Sequence, residues 1–168
     1  LFLMRMQIFN QGDASVEIER LGLIDTAPQS LSLTQDNCGS YSFYVNGWQS
    51  WSPTGCYMAT DRQQRTRLGT LTQPMIHNPG TPLTYQAGHF SSDMFGILSN
   101  LNAKTGLLAG FLSQREHFGS LEADLRADPS LKIWANGDRA HLAPGANMHS
   151  DWLSIGFISL DSPMPLQT

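Results

Sequence analysis

Apolar and polar side chains alternate in short runs along this chain, and no segment carries a convincing 3.6-residue period. Residues 4–9 (Met-Arg-Met-Gln-Ile-Phe) and 16–21 (Val-Glu-Ile-Glu-Arg-Leu) both approximate a period of two, with Gln11-Gly12-Asp13 as a turn signal between them. Together they predict a hairpin. Tyr41, Phe43 and Val45 alternate with Ser42 and Tyr44, the pattern of a half-buried strand. Further strands are predicted over residues 95–99, 107–113, 120–125, 131–134, 139–143 and 152–160. Turn signals separate them: 102–106, Asp128-Pro129, Asn136-Gly137-Asp138 and Pro144-Gly145. Short strands at this spacing predict an all-β, antiparallel sandwich. Residues 60–88 have little periodicity and contain Pro74, Pro79 and Pro82. A loop of that length is expected to wrap a neighbour or cover an opening.

One stretch breaks the alternation. Asn46-Gly47-Trp48-Gln49-Ser50-Trp51-Ser52-Pro53 sets two indoles in a polar run bounded by Gly and Pro. Gly47 interrupts a strand and Pro53 cannot donate to a ladder, so the octet is placed where the strand from Tyr41 bulges or ends. In an extended segment residues three apart face opposite ways. One indole then anchors while the other projects, and an indole face stacks on the C–H-rich side of a pyranose while its N–H donates to a hydroxyl. The alternative is that both pack within the protein. Trp134 and Trp152 lie in strand patterns and are read as core or inter-sheet packing.

At 168 residues the chain suits one domain with an adequate core, assigned here to residues 1–160. Charged residues make up only 14% and the net charge is −4, against about 25% charged in typical domains. Scattered basic residues exclude a nucleic-acid partner. Arg62, Arg65 and Arg67 form the one local cluster and read as a solvated loop. A surface so poor in charge is that of an ordinary polar β-protein or of a domain whose faces are covered by another. Leu1 in place of an initiating Met, and the Pro-rich residues 161–168 read as the start of a linker, favour a piece of a longer protein. No apolar run is long enough for a membrane helix, so no membrane partner is assigned. Cys38 and Cys56 fit neither a zinc knuckle nor a redox pair and read as free thiols, which with the lack of a signal segment places the chain in the cytoplasm.

Catalytic chemistry finds little support. Glu17, Glu19, Glu122 and Asp124 read as surface acids, and Asp93 as a turn cap or an interface residue. Arg115-Glu116-His117 reads as a polar strand-end turn, since no nucleophile motif accompanies it. His77, His89, His141 and His149 lack metal-ligand spacing, so no metal and no cofactor is assigned. Phosphate loop, dinucleotide fingerprint and nucleophile elbow are all missing.

Residues 45–53 (Val-Asn-Gly-Trp-Gln-Ser-Trp-Ser-Pro) resemble the amino-terminal domain of family 36 α-galactosidases, the melibiases. Ser92-Asp93-Met94-Phe95, Gly106-Leu107-Leu108-Ala109-Gly110-Phe111-Leu112-Ser113, Leu142-Ala143-Pro144-Gly145 and Leu160-Asp161-Ser162-Pro163 agree in order and spacing, so the similarity spans residues 43–168. The resemblance implies a large, supersandwich-like antiparallel β-sandwich, here isolated from a following (β/α)8 barrel that is its partner in the same chain. In the family, two barrel aspartates hydrolyse terminal α-galactosides, and some relatives transfer the sugar instead; neither aspartate has a counterpart here. The resemblance makes Trp51 a wall of the galactose pocket, Trp48 its packing partner, and Asn46 and Gln49 the residues that hold the loop. The sequence departs from some relatives after Pro53, where Thr54-Gly55 precede Cys56. An autonomous carbohydrate-binding module and a purely structural interface domain stay open as alternatives, as does a homo-oligomer.

Overall fold

The computed structural model describes residues 1–27, 30–31, 40–64 and 78–161. The long unpatterned segment is therefore seen at its two ends only, and Cys38, Arg65, Arg67, His77 and the linker-like residues 162–168 lie outside the described residues.

The described residues form twelve strands: β1 (Phe2–Met4), β2 (Gln7–Phe9), β3 (Val16–Asp25), β4 (Tyr41–Val45), β5 (Gly55–Met58), β6 (His89–Asp93), β7 (Phe95–Asn100), β8 (Thr105–Phe111), β9 (Gly119–Asp124), β10 (Ser130–Leu142), β11 (Asn147–His149) and β12 (Leu153–Ser159). Every pairing is antiparallel. A six-stranded sheet in the order β1-β12-β8-β7-β4-β5 packs on a four-stranded sheet in the order β3-β10-β9-β6, and β2 and β11 form a small ribbon. The all-β sandwich expected from the alternation is the observed fold.

Alternation puts one row of each strand inside. Phe43, Val45, Leu98, Ala109 and Leu153 come from the larger sheet, and Leu21, Phe90, Leu121, Leu131 and Ile133 from the smaller; all are at most 2% exposed. Gly96, opposite Val45, makes room for a ring: a Cβ there would lie 2.6 Å from Phe43 Cζ and 3.2 Å from the Tyr44 carbonyl oxygen.

Three expectations need correction. Residues 4–9 and 16–21 do not pair with each other: β1 pairs with β12, β2 with β11 and β3 with β10. Asn10 diverts the chain, its Nδ2 donating to the carbonyls of Ala14 and Leu142 at 2.8 Å each. A period of two announces a strand and says nothing of its partner. Asn136-Gly137-Asp138 is no hairpin turn but a bulge inside the single long β10, where Asn136 opposes Arg20 and Ala140 opposes Ile18. Trp152 is 45% exposed beside β12, with the Arg5 guanidinium 5.0 Å from its ring centroid; Trp134, 3% exposed, is the buried one of the two, though outside the cluster that fills the core.

The ends of the long segment cover the free edge of β6. Gln63 donates from Nε2 to the Ser91 carbonyl and accepts the Ser91 N–H at Oε1, both at 2.8 Å, so one side-chain amide replaces a neighbouring strand. Ser91 Oγ donates to the Pro82 carbonyl at 2.7 Å. An edge so occupied cannot template another chain.

Gly96→Ala is expected to destabilise the sandwich by about 1–3 kcal/mol, the usual cost of overpacking a dense core, because Phe43 is fully buried and has nowhere to go. Urea denaturation of Gly96→Ala, Phe43→Leu and the double variant checks this: the smaller side chain should recover part of the loss, and simple additivity would show that the two positions do not share the space.

Candidate functional site

The octet forms the connection of the β4–β5 hairpin, in which Val45 pairs with Gly55 and residues 46–54 make the loop. Its base is fixed by Asn46. The Asn46 backbone N–H donates to Ser92 Oγ at 2.8 Å, its Nδ2 donates to the Asp93 carbonyl at 2.8 Å, and its own carbonyl accepts the Asp93 N–H at 3.0 Å. Gly47 follows because no side chain fits: a Cβ there would collide with Ser52 Cβ and lie 3.0 Å from the Pro53 carbonyl oxygen. The Gly47 N–H donates to Thr54 Oγ1 at 3.1 Å, closing the loop on itself.

Between the indoles the chain is a tight turn, not extended strand. The Ser52 N–H donates to the Gln49 carbonyl at 2.8 Å and the Gln49 N–H donates to Ser52 Oγ at 3.2 Å. The turn separates the two rings, in place of the opposite faces of an extended segment. Trp48 is half-buried, edge-on to Phe118 at 6.1 Å between centroids and 88° between planes. Trp51 is 62% exposed.

What Asn46 grips is the point at which the chain changes sheets. β6 ends at Asp93 in the smaller sheet and β7 begins at Phe95 in the larger, with Met94 alone between them at φ +67°. Asp93 is 7% exposed and accepts from Thr81 Oγ1 at 2.6 Å and from Asn78 Nδ2 at 3.2 Å. Thr81 Oγ1 also lies 2.6 Å from Ser120 Oγ, which accepts from Asn136 Nδ2 at 2.8 Å, and Asn136 Oδ1 accepts the Trp134 indole N–H at 2.9 Å. Asp93 is therefore an internal clamp that holds residues 78–81 over β6 and β9. Of the two sequence readings, turn cap and interface residue, the first is nearer, though the cap is long-range.

Phe118, against which Trp48 rests, has its own anchor in Asp151, which the sequence did not single out. Asp151 is 6% exposed and accepts from Ser113 Oγ and from the backbone N–H groups of Glu116 at 2.9 Å, His117 at 3.0 Å and Arg115 at 3.3 Å. Burial opposes its ionisation, but the Ser113 hydroxyl and these three amides outweigh burial and hold the carboxyl below the usual carboxylate range. Arg115-Glu116-His117 is thus a strand-end turn that presents its backbone to Asp151. Nothing local in His149-Ser150-Asp151-Trp152 signals a residue whose partners lie more than 30 positions away.

Among the described residues no three His, Cys, Asp or Glu side chains gather as metal ligands. His89 pairs with Glu122 at 2.9 Å on the outer side of the smaller sheet. Cys56 is a free thiol, and partial burial pushes its pKa up, the opposite of an activated thiolate. No helix among the described residues is long and apolar enough to cross a membrane. The arrangement can offer one projecting indole on a rigid mount.

No protein-family model, curated protein or solved structure matches the chain.

A carboxyl whose folded-state pKa lies below its unfolded value of about 3.9 stabilises the fold fully above that value, and the contribution is lost as pH falls through the lowered folded value. Stability is therefore expected to drop as pH is lowered from about 5 towards 2. Asp151→Asn should be less stable at neutral pH by about 1–3 kcal/mol and flatter across that acid window. Asp124, held low by its hydrogen bond with Arg126, contributes equally to both proteins. Urea midpoints against pH provide the check, and parallel curves would remove Asp151 from this role.

Proposed function

We propose that this sandwich is the amino-terminal accessory domain of an enzyme acting on terminal α-galactosides, and that it lends Trp51 as an aromatic wall to a galactose pocket built by a following (β/α)8 barrel. The observation that carries the reading is the division of labour in the loop: a half-buried Trp48 seated on Phe118, and a Trp51 that is 62% exposed four residues before the next strand. Exposing an indole is unfavourable unless something covers it, and a ring on a stiff hairpin is preorganised for stacking. The order of the Trp-Gln-Ser-Trp, Ser-Asp-Met-Phe and Gly-Leu-Leu-Ala-Gly-Phe segments supports the family to which the chain is likened. The accessory domain itself is non-catalytic in this reading.

The charge-poor composition supports a covered face. None of the six strands of the larger sheet contains Asp, Glu, Lys or Arg, whereas the smaller sheet carries Glu17, Glu19, Asp25, Lys132, Glu122 and Asp124. Tyr44 and Phe95 stack on the outer side of the larger sheet at 5.8 Å, next to half-buried Ile97 and Leu108. A sheet face without charge favours another protein surface over water. The barrel of the same chain is the proposed occupant, and the exposed free thiol of Cys56 is in keeping with a reducing, cytoplasmic setting.

In the longer protein, Trp51→Ala is expected to lower kcat/KM for α-galactosides by about 1–3 kcal/mol of transition-state binding, comparable with losing one stacked ring. Unchanged kcat/KM would sink the pocket role. α-Galactoside binding by the isolated domain that Trp51→Ala abolishes would instead support an autonomous carbohydrate-binding module. A loss of stability from Trp51→Ala in the longer protein, with kinetics intact, would support a purely structural interface.

A further inference from the structure

We infer that the cleft where β10 bulges beneath Pro79 and Gly80 is a second ligand site, shaped for a single neutral sugar ring or a polyol of that size. It has a volume of about 330 Å³ and is lined by Arg20, Pro79, Gly80, Asn136, Asp138 and Arg139, with Glu19 at its side. Small-molecule clefts run from about 300 to 1,000 Å³, so this one takes one ring and not a chain of them. It lies on the outer side of the smaller sheet, and none of its lining residues belongs to the octet.

The backbone is bent to make it. Between Asn136, opposite Arg20, and Ala140, opposite Ile18, the three residues Gly137, Asp138 and Arg139 face Glu19 alone. Asp138 and Arg139 are both left-handed, at φ +51° and +57°. Glycine would relieve that strain, yet the neighbouring glycine, Gly137, does not have a left-handed φ and is needed for a different reason: a Cβ there would run into the Ile18 carbonyl oxygen. The left-handed positions bear a carboxylate and a guanidinium instead, and both line the cleft. Two successive non-glycine residues in this region are uncommon, and bulges and strain of this sort gather at binding sites.

The floor is rigid. Asn136 accepts from Trp134 Nε1 at 2.9 Å and donates to Ser120 Oγ at 2.8 Å and to the Phe118 carbonyl at 3.0 Å, and a Cβ on Gly80 would collide with its side chain. Above it the Arg20 guanidinium lies 5.0 Å from the Trp134 ring centroid and 3.3 Å from Glu19 Oε1. Arg139 Nε is 3.8 Å from Glu17 Oε1, and among the described residues the Asp138 carboxylate has neither hydrogen bond nor ion pair.

Charge decides the ligand class. Glu19 and Asp138 offset Arg20 and Arg139, so the cleft has no net field to hold an anion or a cation. A zwitterion would have to compete with the pairing of Arg20 to Glu19. A hydroxyl donates and accepts at once, so vicinal hydroxyls can give to Asp138 and take from a guanidinium while leaving that pair intact. Pro79 supplies the apolar side that a pyranose ring needs.

The test is titration of the 168-residue chain with galactose and with glucose, followed by amide NMR, with glycine and sulfate as charged probes. A saturable shift of Gly80, Asn136, Asp138 and Arg139 by a hexose is expected. Asp138→Asn, which keeps a residue tolerant of the left-handed region, and Arg139→Ala should each weaken binding about tenfold, the loss of one charge-assisted hydrogen bond, with the melting temperature unchanged. Trp51→Ala should leave it intact, which separates failure here from failure of the galactose-pocket reading. The inference is overturned if neither hexose shifts these residues, if glycine or sulfate shifts them in place of a hexose, or if hexose binding survives both cleft variants.

Discussion

The sandwich turns on one residue, Met94, where the chain leaves the four-stranded sheet and enters the six-stranded one without a connecting loop. A corner that short is achieved by a left-handed backbone at φ +67°, a conformation that costs about 1–2 kcal/mol for a side-chain-bearing residue. Neighbouring backbone groups hold it. The Met94 N–H donates to the Gly119 carbonyl at 2.9 Å, and its carbonyl accepts the Phe111 N–H at 2.8 Å, tying the corner to one strand of each sheet. Gly119 has no side chain because a Cβ would drive into the Phe111 ring. The two sheets are thus stitched together at a single residue.

The tryptophan hairpin and residues 78–81 are organised around that stitch by hydrogen bonds to its flanks. Asn46 bonds the backbone at Asp93 and the Ser92 hydroxyl, so the tryptophan hairpin inherits the rigidity of the corner. Asp93 reaches the other way to Thr81 and Asn78, and through Ser120 to Asn136 and Trp134. A buried polar network of this kind is tolerable only when complete, since each orphaned group costs about 1–3 kcal/mol. Here no buried side-chain nitrogen or oxygen among the described residues lacks a partner. The base of the hairpin that carries Trp51 is therefore fixed by how the sheets are joined, several residues from the ring itself.

Local chemistry was legible and long-range chemistry was not. Period-two runs announced β3, β4, β7, β8, β9 and β12 close to their observed bounds, because half-buried strands must alternate. β5, Gly-Cys-Tyr-Met, buries fully only Tyr57 and left no run long enough to read. β6, His-Phe-Ser-Ser-Asp, hid because loop residues cover its outward Ser91 while Ser92 lies on the inward side with Phe90, so neither serine meets water. The hairpin expected between residues 4–9 and 16–21 failed for the same cause that hid Asp151: partners far apart along the chain, Ser113 to His117 for Asp151 and Leu142 for Asn10, leave no trace in a short window. Trp48 and Trp51 stood out by their polar setting, but Phe118, which seats one of them, is an ordinary apolar residue in sequence and acquires its role from the turn that Asp151 ties down.

The unequal outer sides of the two sheets carry the final step. In an isolated sandwich both outer sides meet water, and selection for solubility should scatter charge over both. Here, among the described residues, ionised side chains fall on the strands of the four-stranded sheet and are missing from those of the six-stranded one. Within the described strands the charge is thus unevenly divided, present on one sheet and absent from the other. That distribution is what burial of one side in the proposed longer protein would produce, and it agrees with a Trp51 that is 62% exposed on a hydrogen-bonded hairpin.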